Sequence, residues 1–372
     1  MKFEPNFRIT PGLTQHLLVV ERHREALSIL PITATLIASL RETARLLSTH
    51  YSTQIEGNML TQSEVKQAIE GKKGGFPGRE RDEREVRNYF RALEYVEQEL
   101  KKETPISENL IKTIHSLVLM GAKKETPYRE GQNVIKDGST GGIVYMPPEA
   151  PDVEPLMKGL VSWINDSLRS SELPAPIIAG LAHYQFATIH PYYDGNGRTA
   201  RLLTTFILHR TGYGMNGIYS LEEYYAKNLQ AYYKALTIGK SHNYYGGRAE
   251  ADVTPFLEYF LSGMAISFKN VREKAQEMNM EQRIQTLPRQ TEKLRLLSPQ
   301  QRQALSLFMK QKEISIQDIS QHLGLKNRSS YGLLKKWLYE GFIKIGNTSR
   351  KARTYMLSND WEQLIRNQDL EL

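Results

Sequence analysis

A twelve-residue polar segment lies between two apolar stretches near the middle of this 372-residue chain. It reads His190-Pro191-Tyr192-Tyr193-Asp194-Gly195-Asn196-Gly197-Arg198-Thr199-Ala200-Arg201. The stretches on either side, 181–189 and 202–208, are mostly apolar and favour buried helices. A short polar loop between two buried helices is a suitable place for a functional site.

The residue types in this segment suit phosphate chemistry. Its glycines let the backbone approach a ligand closely, and the N–H groups that open the next helix attract anions. Arg198 and Arg201 lie three residues apart and share a helix face, so both can reach phosphate oxygens. Asp194 is a hard oxygen ligand for Mg²⁺, and His190 has the side chain best suited to act as a base near neutral pH. These are the parts of phosphoryl or nucleotidyl transfer.

The alternative interpretation is a helix-to-helix turn that is polar by chance. Eight positions fit one fixed pattern, and a chance match in a chain of this length is on the order of 1 in 10⁸. The pattern resembles the core motif of the Fic family (Fic/Doc superfamily), His-Pro-Phe-x-Asp/Glu-Gly-Asn-Gly-Arg-x-x-Arg. Tyr192 stands where the family usually has Phe. Asp194 distinguishes the chain from relatives that carry Lys at that position and phosphorylate their targets.

The resemblance extends over residues 10–270 in organisation. Segments 128–134 and 145–148 are similar to the Tyr-Arg segment and the flap hairpin of the family. The resemblance implies that the flap clamps a target strand by β-augmentation. The flap residues concerned are Gly142, Ile143, Val144 and Tyr145.

A second motif, Ser52-Thr53-Gln54-Ile55-Glu56-Gly57, fits the inhibitory pattern Ser/Thr-x-x-x-Glu-Gly/Asn of Fic proteins. Ser52 and Glu56 are four residues apart and lie on one helix face. Taken alone, the match is an ordinary helix end with Gly57 as its cap. The resemblance implies that Glu56 pairs with Arg201 and blocks the γ-phosphate site, as in the class with an N-terminal inhibitory helix. Sequence spacing cannot show that these two side chains meet.

The composition limits the classes of protein that remain. The chain has no cysteine, which excludes disulfides and thiolate metal sites. Residues 1–5 lack a signal-peptide pattern, and no apolar run reaches the 18 residues that favour a spanning helix. We therefore expect a cytoplasmic protein that does not contact a membrane.

The fold class that we predict is mainly α, with a Fic-fold helical domain, a β-hairpin flap between Val134 and Tyr145, and a small winged-helix domain. The predicted organisation is an N-terminal helical region with the inhibitory helix, a Fic catalytic domain, a linker and a winged helix-turn-helix domain. Their bounds are 1–110, 111–285, 286–298 and 299–372.

The winged-helix prediction rests on the order helix, helix, turn, helix, wing after residue 299. Residues 299–357 hold 11 Lys and Arg against 3 Asp and Glu, a net charge of +8 that equals that of the whole chain. Such a surface suits the phosphates of DNA. The alternative is a module for docking proteins or for forming a homodimer, with a solvated basic face. The basic residues of the recognition helix and wing are Arg328, Lys335, Lys336, Arg350, Lys351 and Arg353.

Four tyrosines, 224, 225, 232 and 233, fall on one predicted helix between Leu221 and Ile238. They could pack in the core, or their rings could stack on adenine. In Fic proteins the helix after the core motif borders the nucleotide, so the resemblance favours Tyr232 as an ATP-binding residue.

The resemblance implies a protein adenylyltransferase (an AMPylator) that moves AMP from ATP, with Mg²⁺, to a Ser, Thr or Tyr hydroxyl of target proteins, itself included. His190 would be the base, Asp194 the metal ligand, and Glu56 the restraint. The phosphate-binding groups would be Gly195, Asn196, Gly197, Arg198 and Arg201. Two alternatives stay open: a hydrolase that removes AMP, with Glu56 positioning water, and a DNA-binding regulator that senses nucleotide without catalysis.

Overall fold

The residues described by a computed structural model are 2–71, 75–102, 105–136, 141–239, 242–286, 297–347 and 353–366. They form two compact units, Met1–Ala275 and Gln276–Leu372, each with its own hydrophobic core. The described residues are mainly helical, which confirms the prediction of a mainly α fold. No helix among them is both long enough and apolar enough to span a bilayer.

The first unit consists of helices joined by short turns, with one hairpin. The helices are α1 Pro11–Ser28, α2 Ala34–Ile55, α3 Gln62–Glu70, α4 Glu80–Leu100, α5 Glu108–Met120, α6 Ala150–Ser170, α7 Ala175–Ile189, α8 Asn196–Leu208, α9 Glu222–Lys227, α10 Leu229–Leu236 and α11 Thr254–Thr286, the last of which continues past Ala275. Short helical turns lie between α8 and α9 at His209–Tyr213 and Met215–Gly217, and between α10 and α11 at Tyr244–Gly246. The hairpin strands are β1 Ile135–Lys136 and β2 Ile143–Tyr145.

Local sequence signals explain several helix boundaries. The predicted capping box at the start of α3 is present, since Thr61 accepts from the N–H of Glu64 and the Glu64 carboxylate accepts from the N–H of Thr61. Gly71 ends the same helix in the left-handed conformation that glycine adopts without a steric penalty. Helix α2 begins at Thr33, whose hydroxyl accepts from the N–H of Leu36.

The core of the first unit centres on α7 and α8. Almost every residue of α7 is buried, as its continuous apolar sequence predicts. Gly180 permits a close helix contact, because a Cβ there would come within 2.9 Å of Leu257 and Phe260 on α11. The polar loop 190–195 therefore joins the two most deeply buried helices of the unit.

The predicted hairpin forms with a short ladder. Strands β1 and β2 are antiparallel, with Ile135 opposite Tyr145 and Lys136 opposite Ile143, and the register shifts between these pairs. Its tip, residues 137–140, lies outside the described residues.

The single helix predicted from Leu221 to Ile238 is wrong. Asn228 adopts a non-helical backbone and divides the segment into α9 and α10, and its side chain accepts from the N–H of Ala231 as the cap of α10. Tyr225 and Tyr232 nevertheless lie on one buried face across this break, with their rings stacked at 4.6 Å between centroids.

In the second unit, the described residues after the end of α11 form three helices, a two-stranded antiparallel sheet and a further helix. These are α12 Pro299–Lys310, α13 Ile316–Leu323, α14 Asn327–Tyr339, β3 Ile343–Ile345, β4 Tyr355–Leu357 and α15 Asn359–Arg366. Trp337, Phe342 and Tyr355 lie in its core. Most of the predicted linker 286–298, and Arg350 and Lys351 of the predicted wing, lie outside the described residues.

Candidate active site

The polar loop begins where α7 ends. His190 is the C-cap of α7 in the left-handed conformation (φ 51°), and its N–H donates to the carbonyl of Phe186 at 3.0 Å. A left-handed backbone costs a non-glycine residue about 1–2 kcal/mol. Such local strain is found at functional sites, where the surrounding fold holds it in place.

Asn196 holds the loop closed from within. Its Oδ1 accepts from the N–H of Tyr192 at 3.0 Å, and its Nδ2 donates to the carbonyl of Tyr192 at 2.8 Å. The side chain is buried and both of its polar ends are engaged. This side chain therefore fixes the shape of the loop, and its contact with phosphates stays a prediction.

His115 on α5 supports the loop from behind. Its ring stacks on Tyr192 with 3.5 Å between ring centroids, and its Nε2 lies 2.8 Å from the carbonyl oxygen of Asp194. Burial lowers the pKa of His115 to about 4, so the ring is neutral at pH 7. Gly195 (φ 76°) passes so close that a Cβ there would lie within 3.3 Å of His115 and Leu119.

The first turn of α8 offers backbone N–H groups to an anion. Gly195 is its N-cap, and no described side chain caps this end of the helix. The carboxylate of Glu56 lies at this point, since a Cβ on Gly197 would collide with Glu56 Oε1. A helix N-terminus favours negative charge, so a carboxylate of the protein lies where a phosphate would be stabilised.

Arg201 joins α8 to the end of α2. Its Nε donates to Ser52 Oγ at 2.8 Å, and its Nη2 donates to the Ser52 carbonyl at 2.9 Å and to Glu56 Oε1 at 2.8 Å. The Arg201 side chain is 1% exposed and that of Glu56 is 27% exposed. Gly57 follows with φ 94°, which ends the helix. The two motifs that were separate in the sequence therefore meet in one place.

Arg198 and Asp194 form the second charged pair of the loop. Asp194 Oδ1 accepts from the N–H of Gly195 at 2.5 Å and from Arg198 Nη2 at 3.0 Å. The Arg198 side chain is buried, and its Nε finds no acceptor among the described residues. A buried guanidinium with an unsatisfied donor is suited to an added anion.

Asp194 is the candidate metal ligand. Its side chain is 59% exposed, and the described residues contain no group of three or more metal-ligating side chains. Mg²⁺ commonly binds through one or two carboxylates, completing its shell with water and substrate phosphates. A single accessible carboxylate beside an anion site fits that arrangement.

The pKa of His190 is lowered to about 4 by burial, partly offset by the Ala187 carbonyl and the Glu56 carboxylate. Its Nδ1 faces the Ala187 carbonyl at 3.4 Å. A neutral ring that donates through Nδ1 keeps the lone pair of Nε2 for accepting a proton. His190 is therefore in the protonation state that a general base requires at neutral pH.

Arg129 ties the loop to the flap. The backbone N–H of Arg129 donates to the Pro191 carbonyl at 2.9 Å, and its side-chain Nε donates to the His190 carbonyl at 3.0 Å. The other guanidinium nitrogens donate to the carbonyls of Gly131 and Pro148. Arg129 is 3% exposed. The loop and the flap therefore share one buried cation as their common support.

The four flap residues have different surroundings. Gly142 and Ile143 are exposed and Val144 is half-buried, as a docking strand requires. Tyr145 is buried, and its hydroxyl donates to the carbonyl of Thr188 on α7 at 2.8 Å. The Tyr145 side chain thus anchors the flap to the core, and the contact of this residue with a target strand stays a prediction, since strand addition uses the backbone.

Tyr232 lies in the core, which corrects the prediction that it faces adenine. Its ring stacks on Tyr225 with 4.6 Å between centroids, and its hydroxyl bonds His183 at 2.9 Å. It is 2% exposed, too little for stacking on a ligand. The neighbouring Tyr233 is 47% exposed, and its hydroxyl donates to the carbonyl of Ile55, the residue before Glu56.

Sequence reasoning missed the buried carboxylate that holds α2 in place. Glu222 on α9 accepts from Ser48 at 3.0 Å and from Tyr89 at 3.2 Å, and Ser220 donates to it at 2.9 Å. A glutamate at the start of a short helix gives no signal that would distinguish it from an ordinary first-turn acid.

Comparison with known proteins is consistent with this geometry. Residues 105–208 match the family model described as the Fic/DOC family. The chain contains a Fic/DOC domain. The domain spans α5, the flap, α6, α7, the polar loop and α8, whereas α2 with Ser52 and Glu56 precedes it.

Relatives and solved structures extend the likeness beyond the Fic/DOC domain. The protein adenylyltransferase Fic of Drosophila virilis is 30% identical over 200 residues, which is 54% of this chain and 40% of that protein. The match thus spans about two fifths of that relative. The crystal structure of a Fic family protein from Desulfovibrio desulfuricans G20 has a TM-score of 0.60 at 24% identity, covering 96% of this chain and 99% of that one. A Fic domain containing signaling protein from Bacteroides thetaiotaomicron VPI-5482 has a TM-score of 0.58 at 25% identity, covering 71% and 96%.

Proposed function

We propose that this chain is a protein adenylyltransferase that transfers AMP from ATP to a hydroxyl of a target protein and is restrained by Glu56. The observation that carries the proposal is the position of the Glu56 carboxylate. It lies at the N-terminus of α8, against Gly197 and bonded to Arg201. A carboxylate held by a helix terminus and a buried guanidinium marks an anion site that polyphosphate can occupy once the carboxylate leaves.

In the proposed reaction, His190 Nε2 takes the proton of the target hydroxyl. The hydroxyl oxygen bonds to the α-phosphorus of ATP, while the bond from that phosphorus to the oxygen bridging to the β-phosphate breaks. Pyrophosphate leaves and a phosphodiester joins AMP to the target. Arg198 and Arg201 would stabilise the charge on the departing phosphates, as cationic clamps do in phosphoryl transfer. The backbone N–H groups at the start of α8 would complete the cradle.

Asp194 would hold the Mg²⁺ that accompanies ATP. When bound, the ion would neutralise charge on the phosphates and orient them. The Asp194 carboxylate would bind through its exposed side while Arg198 and the N–H of Gly195 keep its Oδ1 in place.

Restraint would follow from competition for Arg201. While its Nη2 bonds Glu56, that donor is not available to a terminal phosphate. An extended segment of the target would add beside Gly142 and Ile143, the exposed residues of the flap, since exposed strand edges bind peptides by strand addition.

Mass spectrometry of the intact chain after incubation with ATP and Mg²⁺ tests the proposal. AMP transfer adds one adenylyl group to the chain or to an added target, and His190→Ala removes that addition. The competing hydrolase predicts the reverse, which is loss of AMP from a labelled target without ATP. Absence of any adenylylated product from wild type and from Glu56→Gly, with ATP binding intact, would contradict the proposal.

We also propose that the second unit binds DNA through α14. The support is the exposure of Arg328, Lys335 and Lys336 on this helix, which is a basic face for phosphates. Neutralising Lys335 and Lys336 together should reduce the slope of log affinity against log salt by about two, since each phosphate contact contributes about one. Fluorescence anisotropy with labelled duplex DNA measures the slope, and Lys124→Gln in the first unit is the control. An unchanged slope in the double variant would favour the protein-docking alternative.

A further inference from the structure

A cavity of about 530 Å³ lies in the first unit, beyond the C-terminal end of α8 and thus away from the polar loop at its N-terminal end. Helices α1, α2 and α4 and the turns at 209–218 line it. Its charged lining residues are Arg24, Arg41, Arg45, Glu97 and Lys101. Four cations and one carboxylate therefore face a space large enough for a small organic ligand.

Two of these cations are already paired. Arg45 donates from Nε to Glu97 Oε1 at 2.9 Å, and its Nη2 pairs with the other oxygen of the same carboxylate. Arg24 donates from Nε to Glu21 Oε2 at 2.9 Å. These pairs fix two walls of the cavity and add little net charge to it.

The remaining two cations are not compensated. Arg41 donates from Nε to the carbonyl of Asn216 at 2.7 Å, which leaves its terminal amino groups without a carboxylate among the residues that the structure describes. Lys101, at the end of α4, likewise pairs with no carboxylate in the described chain. The cavity therefore carries an excess positive charge of about two.

The backbone that closes the cavity is strained. After the turn His209–Tyr213, which is kinked at Gly212, Met215 and Asn216 adopt φ angles of 48° and 56°. Left-handed non-glycine residues are uncommon and occur preferentially at functional sites. Arg41 holds this strained turn through the carbonyl of Asn216.

We propose that this cavity binds a small anion with at least two negative charges, a phosphorylated or polycarboxylate compound, between Arg41 and Lys101. The apolar part of the lining, which includes Leu27, Leu100 and Ile218, would cover the carbon skeleton of such a ligand. The site is separate from the one proposed for AMP transfer, and binding there is measurable without any catalysis.

Titration calorimetry of the full chain at constant ionic strength tests the proposal, with inorganic pyrophosphate in one arm and citrate in the other. Saturable binding is expected in at least one arm. Lys101→Gln and Arg41→Gln should each weaken that binding about tenfold, the value of one hydrogen bond to a charged group. Arg198→Gln, at the other end of α8, should leave binding in this cavity unchanged and controls for pyrophosphate in the polar loop.

Pyrophosphate binding that persists in Arg198→Gln and weakens in Lys101→Gln supports a phosphorylated ligand, and citrate binding with the same pattern supports a polycarboxylate. Lys101 is exposed, so its variant is expected to fold, and circular dichroism of each variant confirms this. Absence of saturable binding in both arms overturns the proposal. It is also overturned if both cavity variants bind as wild type does, or if Arg198→Gln alone abolishes binding.

Discussion

Arg201 Nη2 donates to Glu56 Oε1 at 2.8 Å across 145 residues of sequence. The two partners differ in freedom, because the arginine is fully buried while the glutamate is partly exposed at the end of α2. This difference in exposure fits the proposed restraint, in which an incoming phosphate would displace the glutamate while the arginine stays in the core.

Glu56→Gly should raise AMP transfer about tenfold, within the range usual for coupling between sites, because the arginine is freed for the terminal phosphate. Initial rates at saturating ATP and Mg²⁺ measure the effect. Glu42→Gln, an exposed acid on the same helix, should not change the rate. The gain should vanish in the Glu56→Gly/His190→Ala double variant. Equal rates for wild type and Glu56→Gly would show that Glu56 does not restrain transfer and only ends helix α2.

His190→Ala should lower the transfer rate about 10²–10⁴-fold while ATP affinity stays the same, as expected for loss of a general base. The pKa of His190 near 4 also predicts a pH profile. The ring is deprotonated above that value, so the rate in Glu56→Gly should stay level from pH 8 to 6 with respect to this group. A fall in rate as the pH drops through about 6.5, the ordinary pKa of histidine, would show that His190 is not held neutral.

Stability should decline as the pH falls below 6.5. Burial lowers the pKa of His183 to about 3 and that of His115 to about 4. Between these values and the ordinary pKa of about 6.5, the unfolded chain therefore binds more protons than the folded chain. Their contribution is complete above pH 6.5 and is lost as the pH falls toward the folded values, at up to about 1.4 kcal/mol per pH unit for each group. Urea unfolding at pH 7, 6 and 5 measures how the free energy of unfolding changes with pH. His183→Gln should reduce this slope by up to about 1.4 kcal/mol per pH unit, the contribution of one histidine. An identical slope in the variant would contradict the prediction.

Tyr192→Phe should raise the free energy of unfolding by about 1 kcal/mol. Its hydroxyl is buried and finds no partner among the described residues, and an unsatisfied buried hydroxyl costs roughly 1–3 kcal/mol. Tyr145→Phe is the matched control, since that hydroxyl donates to Thr188 and its removal should destabilise the fold by a similar amount. Thermal unfolding of both variants measures the two changes, which should be stabilising for Tyr192→Phe and destabilising for Tyr145→Phe. Destabilisation by Tyr192→Phe would indicate a partner for the hydroxyl.

Arg129→Lys should lower the transfer rate more than it lowers ATP affinity. A lysine cannot serve the His190, Gly131 and Pro148 carbonyls together, because it lacks the planar fork of donors. Each buried carbonyl left unpaired costs roughly 1–3 kcal/mol, so the variant should also unfold at lower urea concentration. Steady-state kinetics and urea titration measure the two effects. Unchanged values for both would show that the flap and loop are held by other contacts.

The sequence by itself determined the features that depend on near neighbours in the chain. The turn at Gly195, the helix end at Gly57 and the capping box at Thr61 all follow from backbone preferences within a few residues. The helical character of 181–189 and 202–208 follows equally from local apolar runs. The two motifs were predicted for this reason, each as a local pattern.

The tertiary structure decided which residues of these local patterns contact one another. The contact of Glu56 with Arg201 depends on how α2 packs against α8, which sequence spacing does not encode. Tyr232 packs in the core against Tyr225, and the buried Tyr145 hydroxyl donates to the carbonyl of Thr188 on α7. Buried polar groups must find partners, and those partners are chosen by the packing of distant elements rather than by sequence neighbours. The local rules therefore placed the residues of the site on their helices and turns, and only the folded core could show which of them face one another.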